Sequence, residues 1–506
     1  MRSASLPPEG AQSAFGTALH ADGYLIRVLS VASEVYPLVK TGGLADVTGA
    51  LPAALGRENV AVRTLIPGYR PVMAELARAP VLLEYASLFG GRARVRAGHA
   101  RGLDLLVLDA PHLFDRDGGP YADRRGQDFP DNAYRFAALC RAAADVAWGD
   151  AGDFVPDVVH CHDWQAGLAP AYLHYAQRPR PRTVMTVHNM AFQGQFDVTC
   201  DNLGLPWHAW SIEGVEYYGS VGYLKAGLQL ADRITTVSPT YAEEIKTRDG
   251  GMGLDGLLRH RAHALRGIRN GIDDRAWNPA DDPHLPAPFD AKHRVARGAS
   301  REALRTHFGI AKAGPLFGVV SRLTWQKGMD LVLDCIPSIL EGAAHLAVLG
   351  SGDASLERAF VEAARAHRGR VAVHVGYDEA LAHLMQGGSD AILVPSRFEP
   401  CGLTQMCALR YGALPVVSRV GGLADTVVDV AEEDTASRIG TGVSFLPVTA
   451  DGLAAAIERT LAMWSDQPRW KRVQSRAMTS DVSWKEPAKQ YAELYADVMK
   501  SSSARG

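Results

Sequence analysis

The sequence predicts an α/β protein of two Rossmann-like, doubly wound domains facing a central cleft. Three observations carry this prediction. Short β-branched apolar runs alternate with longer helical stretches along most of the 506 residues, the order that builds parallel sheets flanked by helices. Runs such as Thr183–His188 and Asp390–Pro395 are apolar at consecutive positions, which suits strands covered on both faces. The rhythm also stops at the Pro- and Asp-rich stretch "WNPADDPHLPAPFDA" (Trp277–Ala291) and then restarts; a turn-dense connector of this kind marks a domain boundary.

Six strands are expected in the first half, at Ile26–Ser33, Val60–Pro67, Leu103–Asp109, Asp157–His162, Thr183–His188 and Arg233–Ser238. Six more are expected in the second, at Pro315–Ser321, His345–Leu349, Arg370–Gly376, Asp390–Pro395, Pro415–Ser418 and Gly442–Leu446. The expected division is a tail over 1–23, domains over 24–275 and 276–484, and a closing segment over 485–506. The tail is rich in Ala, Ser, Pro and Gly without an apolar core, so it reads as flexible and not as a secretion signal. Ser483–Lys500 has the spacing of an amphipathic helix.

Composition narrows the function. Apolar residues make up 47% and charged residues 22%, ordinary for a soluble globular protein. A formal charge of −3 gives no field that would gather nucleic acid or an anionic membrane. No apolar run approaches the roughly 18 residues of a membrane span. The six cysteines lack CxxC spacing and read as reduced thiols of a cytoplasmic protein.

Four constellations could carry chemistry. In "SEVYPLVKTGGLADV", Lys40 stands just ahead of a helix opened by Gly42 and Gly43, where an ammonium and free backbone amides can share one phosphate; the plain alternative is a solvated loop lysine. "GGLADV" recurs as "GGLADT" at Gly421–Thr426, either a second anion site or a second helix cap. In "VSRLTWQKGMD", Arg322 and Lys327 follow a strand and precede a helix; together they suit a diphosphate, the first as a fork and the second as a point charge, or they are surface cations. In "PSRFEPCGLTQ", Pro400 keeps Glu399 out of helical geometry, and the amides of Cys401, Gly402 and Leu403 are unpaired first-turn donors. That carboxylate either holds a sugar hydroxyl or favours the helix dipole. His160, His162 and His188 sit at strand ends; zinc wants three or four ligands, and no further ligand has convincing spacing, so cleft-lining histidines are the better reading. The chain has neither a P-loop nor a strand leading into GxGxxG, and no GxSxG elbow.

With these motifs the sequence resembles the bacterial glycogen synthase and plant starch synthase family, retaining glucosyltransferases of the GT-B fold. The resemblance runs from about Ile26 to Tyr495 and also rests on "VVHCHDWQAGLAPAYL", "TVHNMAFQG", "RNGID", "GSGD" and "ALRYGALPVV". It implies transfer of glucose from ADP-glucose to the non-reducing end of an α-1,4-glucan, with no metal or other cofactor. It implies that Lys40 contacts the sugar nucleotide and that Arg322 and Lys327 neutralise the leaving diphosphate. By the same resemblance Glu399 lies near the donor sugar, His188 by the anomeric centre, and Tyr377 stacks on the adenine. Cys401, Gly402 and Leu403 match helix-end contacts, and Asp46, Asp163, Asn270 and Thr404 match further cleft contacts. The last helix is expected to cross back onto the first domain. Two departures stand out. Gln165 occupies a position where many relatives carry His, and Cys407 stands where related retaining transferases place a second Glu, as non-acidic residues do in synthases of this type; neither position assigns a catalytic base.

Overall fold

The computed structural model describes residues 24–152, 154–432 and 440–500; the expected tail and residues 501–506 lie outside them. In chain order the strands of the first half are β1 (Ile26–Val31), β2 (Val60–Pro67), β3 (Val81–Leu88), β4 (Gly91–Ala100), β5 (Leu103–Asp109), β6 (Val158–His162), β7 (Arg182–Val187), β8 (Gln195–Phe196), β9 (Glu216–Tyr217), β10 (Ser220–Gly222), β11 (Arg233–Thr236) and β12 (Leu265–Gly267). Those of the second half are β13 (Leu316–Val320), β14 (His345–Gly350), β15 (Val371–Val375), β16 (Ala391–Val394), β17 (Leu414–Ser418) and β18 (Val443–Phe445).

The second sheet has the expected six strands, ordered β15-β14-β13-β16-β17-β18 and parallel throughout. The first sheet has nine, ordered β12-β11-β7-β6-β1-β2-β5-β4-β3, and so exceeds the six expected. Its extra members are the short edge strand β12, parallel to β11, and the antiparallel pair β3 and β4 beyond β5. The pair escaped the sequence reading because its strands are wet on alternate positions and lack the two-faced apolar signature used to find the others. A separate three-stranded sheet, β8-β10-β9, lies beside the cleft.

Helix Lys485–Lys500 packs on the first sheet. Its Tyr491, Tyr495 and Val498 are buried with Ile26 and Val28 of β1, Val158 of β6, Val184 of β7, and Val47 and Leu51 of helix Gly43–Leu55. The chain thus leaves the first half once and returns once, and the two crossings touch: Ile272 bridges Ser483 in parallel, with Ile272 N donating to Val482 O at 2.9 Å. Gly271 allows this approach, because a Cβ there would lie 2.5 Å from Ser483 C. Among the described residues no helix is long and apolar enough to cross a membrane, and all six cysteines are buried and unpaired.

Candidate active site

In both sheets the central strands end toward one cavity of about 750 Å³. Beyond the carboxyl ends of parallel strands, loops and helix N-termini gather, and that is where such folds bind ligands. The first half supplies Glu34 after β1, Asp163 after β6 and His188 after β7; the second supplies Arg322 and Lys327 after β13 and Glu399 after β16. Gly42, Gly43, Asn270, Cys401, Gly402, Leu403 and Thr404, also expected, stand on its walls.

Glu399 is 5% exposed, and its Oε2 accepts from Lys327 Nζ at 2.5 Å and from Ser396 Oγ at 2.8 Å. Two loops 72 positions apart are laced to make this pair. Gly328 presses against the Pro395 carbonyl, which a Cβ would approach to 2.1 Å, and Arg397 bonds both oxygens of Asp330 at 2.7 Å. Arg322 projects into the cavity with no carboxylate among the described residues in ion-pair reach. Helix Thr404–Tyr411 directs its N-terminus at the same space, after Gly402 at φ 69°, so unpaired amides and two cations face one volume.

Across the cavity, Asp163 holds a φ of 55° and its Oδ1 accepts from His188 N at 2.7 Å. Burial pushes its carboxyl up to about 7, partly countered by the His188 and Asn189 amides. His188 is pushed down to about 3 by burial, so the ring is neutral, and its Nε2 lies 3.0 Å from His162 Nδ1. His162 and His160 therefore stand behind His188 and not on the cavity wall. His160 bonds Thr186 Oγ1 at 2.5 Å and the Tyr495 hydroxyl at 2.8 Å.

Three expected residues do not line the cavity. Lys40 pairs with Asp46 at 2.8 Å and lies 5.2 Å from the centre of the Tyr36 ring; Tyr377 is 73% exposed and donates to Glu379. They gather instead around Glu379, whose charge acts on Lys40 and Asp46 from the second half. The second glycine pair is no anion site. The Gly421 amide is taken by Glu244 Oε1 at 2.8 Å. Both glycines serve close approach, since Cβ atoms at 421 and 422 would meet the Glu399 and Cys401 carbonyls at 2.1 Å.

The structure adds residues the sequence reading missed. Glu34 accepts from Thr41 Oγ1 at 2.6 Å, from the Thr41 amide and from the Tyr121 hydroxyl. Tyr121, Trp164 and Phe196 form an aromatic wall, with ring centres 6.4 Å and 5.5 Å apart. Glu34 and Trp164 lie inside motifs already singled out, whereas Tyr121 is joined to Glu34 only by folding. Gln165 Oε1 and Asn270 Oδ1 are buried without a partner, two acceptors left on the cavity walls. Among the described residues no group of three or more His, Cys, Asp or Glu is placed to hold a metal ion.

Known proteins share this architecture. The family described as starch synthase catalytic domain matches residues 27–260, and glycosyl transferases group 1 matches residues 300–475. A glycogen synthase of Rhodopseudomonas palustris strain BisB18 is 57% identical over 483 residues, covering 95% of this chain and 99% of the relative. One from Methylocella silvestris is 56% identical over 478 residues, 94% and 99% of the two chains. The catalytic domain of starch synthase IV from Arabidopsis thaliana, solved bound to ADP and acarbose, superposes with a TM-score of 0.83 at 31% identity, over 94% of this chain and 99% of that one. The sucrose-phosphate synthase of Thermosynechococcus elongatus shares the fold, with a TM-score of 0.57 at 17% identity over 94% and 100%. Near-complete coverage, two matched halves and a GT-B architecture together place this chain in the glycogen synthase and starch synthase family of glycosyltransferases.

Proposed function

We propose that the protein transfers glucose from ADP-glucose to the non-reducing 4-hydroxyl of an α-1,4-glucan with retention of configuration, building glycogen in the cytoplasm. The observation that carries the reading is the meeting of Arg322, Lys327 and Glu399 from one half with His188, Asp163 and Glu34 from the other in a single cavity. Breaking the anomeric bond builds negative charge on the diphosphate and positive charge on the sugar. Arg322, Lys327 and the amides from Gly402 onward answer the first from one wall of the cavity, and one such preorganised donor is worth about 3 kcal/mol. On this reading the cations and amides answer the leaving charge and no metal takes part. Glu399, held against Lys327, is suited to orient donor hydroxyls. The Glu34–Tyr121 cluster suits the acceptor sugar, which needs polar partners at its edge. The buried, unpaired thiols fit a reducing compartment.

Retention follows from a front-face path. The acceptor oxygen bonds to the anomeric carbon as the carbon–phosphate oxygen bond breaks, and the acceptor proton passes to a departing phosphate oxygen. A glucosyl-enzyme adduct trapped on Asp163 or Glu399 would overturn that path. The donor is tested by incorporation of labelled glucose into glycogen from ADP-glucose and from UDP-glucose, with ADP-glucose expected to give the higher kcat/KM. Incorporation from neither nucleotide would sink the proposal. Glu399→Gln is expected to abolish incorporation in a folded protein.

A further inference from the structure

Beyond the carboxyl end of β15, a buried line of charges runs out to where the two halves face each other. Helix Glu379–Gly388 follows β15. Tyr377 and Glu379 therefore stand on the same edge of the second sheet as Arg322 after β13 and Glu399 after β16, the edge at which such sheets take nucleotides. One turn into the helix, His383 is 4% exposed. Its Nδ1 donates to Asp282 Oδ2 at 2.7 Å, and its Nε2 lies 3.8 Å from Glu379 Oε1. Asp282 is buried too, and accepts from the Tyr411 hydroxyl at 2.5 Å and the His284 amide at 2.9 Å. Trp277 stacks on the imidazole, with ring centres 3.9 Å apart and planes 8° from parallel.

The surroundings of the ring suit a cation. Burial opposes charge on Asp282, but hydrogen bonds from His383, Tyr411 and the His284 amide hold its carboxyl below the ordinary range. It is therefore ionised, and His383 Nδ1 carries a proton. Burial likewise opposes an imidazolium, yet Asp282 and Glu379 outweigh it and hold His383 above its usual value. The indole face favours the same charge. Two further titratable groups face the ring: Tyr411, pushed up by burial and Asp282 and so neutral, and exposed His284, its ring centre 4.9 Å away. At the outer end, His383 holds Glu379 below the usual carboxylate range. Glu379 accepts from the hydroxyl of Tyr377, and its charge reaches Lys40 and Asp46 of the first half.

We infer that His383 is a positioning residue for the nucleotide sugar: seated on Asp282 and Trp277, it fixes the Glu379 carboxylate and, through it, the Tyr377 ring and the Lys40 ammonium. The protonated ring is the form that does this. Without its proton, Glu379 loses the counter-charge behind it, the Tyr377 hydroxyl loses a fixed partner, and donor affinity falls. His383 and Glu379 do not line the cavity where the bond is broken, so the effect belongs to KM and not to kcat. The connector that carries Trp277 and Asp282 thereby takes part in donor binding. The inference rests on the proposed use of ADP-glucose and adds what organises its binding.

The test compares the full chain with His383→Asn, which keeps a donor for Asp282 and removes the charge, and with His284→Asn as a control. KM and kcat for ADP-glucose are measured from about pH 6 to 9, the range over which a raised imidazole titrates. The parent's KM should climb at least about fivefold across it, the low end of a typical coupling between two sites. His383→Asn should show the high KM at every pH, with kcat within about twofold of the parent's at each. His284→Asn should keep the parent's profile. If His383→Asn does not fold, Glu379→Gln breaks the same pair from the exposed end and should flatten the climb in its place. By linkage, ADP binding must draw a proton onto His383, so calorimetric titration with ADP in buffers of different ionisation heat should show less uptake by His383→Asn than by the parent. A climb that survives in His383→Asn, a loss confined to kcat, or equal proton uptake by the two proteins would overturn the inference. A parent that turns over neither ADP-glucose nor UDP-glucose counts against the transferase reading, and the ADP titration then decides the inference. A parent that does not bind ADP overturns both.

Discussion

Lys327 and Glu399 show how much one residue owes to another. Each is the other's counter-charge at 2.5 Å, with side chains only 18% and 7% exposed. Removing one leaves the other partly buried without a partner, a change that costs several kcal/mol in enclosed pairs. Lys327→Ala is therefore expected to lower kcat by roughly 10²- to 10³-fold, the scale for losing one donor to a leaving charge, with a smaller fall in melting temperature. The histidines give a second prediction. His160 and His188 are held at about 3 by burial, against 6.5 in a free side chain, and burial also pushes His162 down. The folded chain then binds fewer protons than the unfolded chain below pH 6.5. Stability from these groups is full above that pH and is lost as pH falls, by about 1.4 kcal/mol per unit for each histidine. Asp163 has the opposite sign. Held up at about 7, its contribution is full below about 4 and lost as pH climbs through 7. Three histidines outweigh one aspartate between pH 7 and 5, so urea midpoints should fall over that range, and His160→Asn should make the fall shallower. At this scale the motifs announced the cations and Glu399 because each sits at a strand-to-helix turn. They could not announce that Gly421 is capped by Glu244, or that Tyr121 reaches Glu34 across 87 positions, since neither contact exists before the chain is folded.

Among the elements, the strands buried on both faces were legible and the half-wet ones were not. Runs such as β7 and β16 carry apolar residues at successive positions because helices cover both sides of their sheets. In β3 and β4 only one side meets the core, and β12 is three residues long, too short for any periodicity. Helix Lys485–Lys500 was legible as amphipathic, but its partner surface was not, since that surface is assembled from β1, β6, β7 and helix Gly43–Leu55. The helix is part of the first half's core. With the preceding Trp484 it buries Tyr491, Leu494, Tyr495 and Val498, at about 1.5–3 kcal/mol for each large apolar side chain. Ending the chain before Trp484 removes on the order of 10 kcal/mol, comparable to the whole stability of a domain. Such a chain is expected to be insoluble or to lose its cooperative melt, read by thermal denaturation of the soluble fraction.

At the level of the whole molecule, the halves meet across the cavity and at a second place beside it. Helix Pro239–Glu244 abuts helix Gly421–Thr426. Asp425 accepts from Thr240 Oγ1 at 2.6 Å and Thr240 N at 3.0 Å, and Glu244 caps Gly421. Charged hydrogen bonds of this kind fix relative orientation more than they add stability. Asp425→Ala should let the halves part, seen as a larger radius of gyration in X-ray scattering and a several-fold loss of transfer, with secondary structure unchanged. The paired crossings at Ile272 and Ser483 carry one more consequence. Everything between them enters and leaves through a single doorway, so the second lobe is, in topology, an insert spliced into its neighbour. Its two ends are one backbone hydrogen bond apart. The excised stretch 273–482 should accordingly fold by itself, and a short peptide closing its ends into a ring should leave its circular dichroism spectrum unaltered.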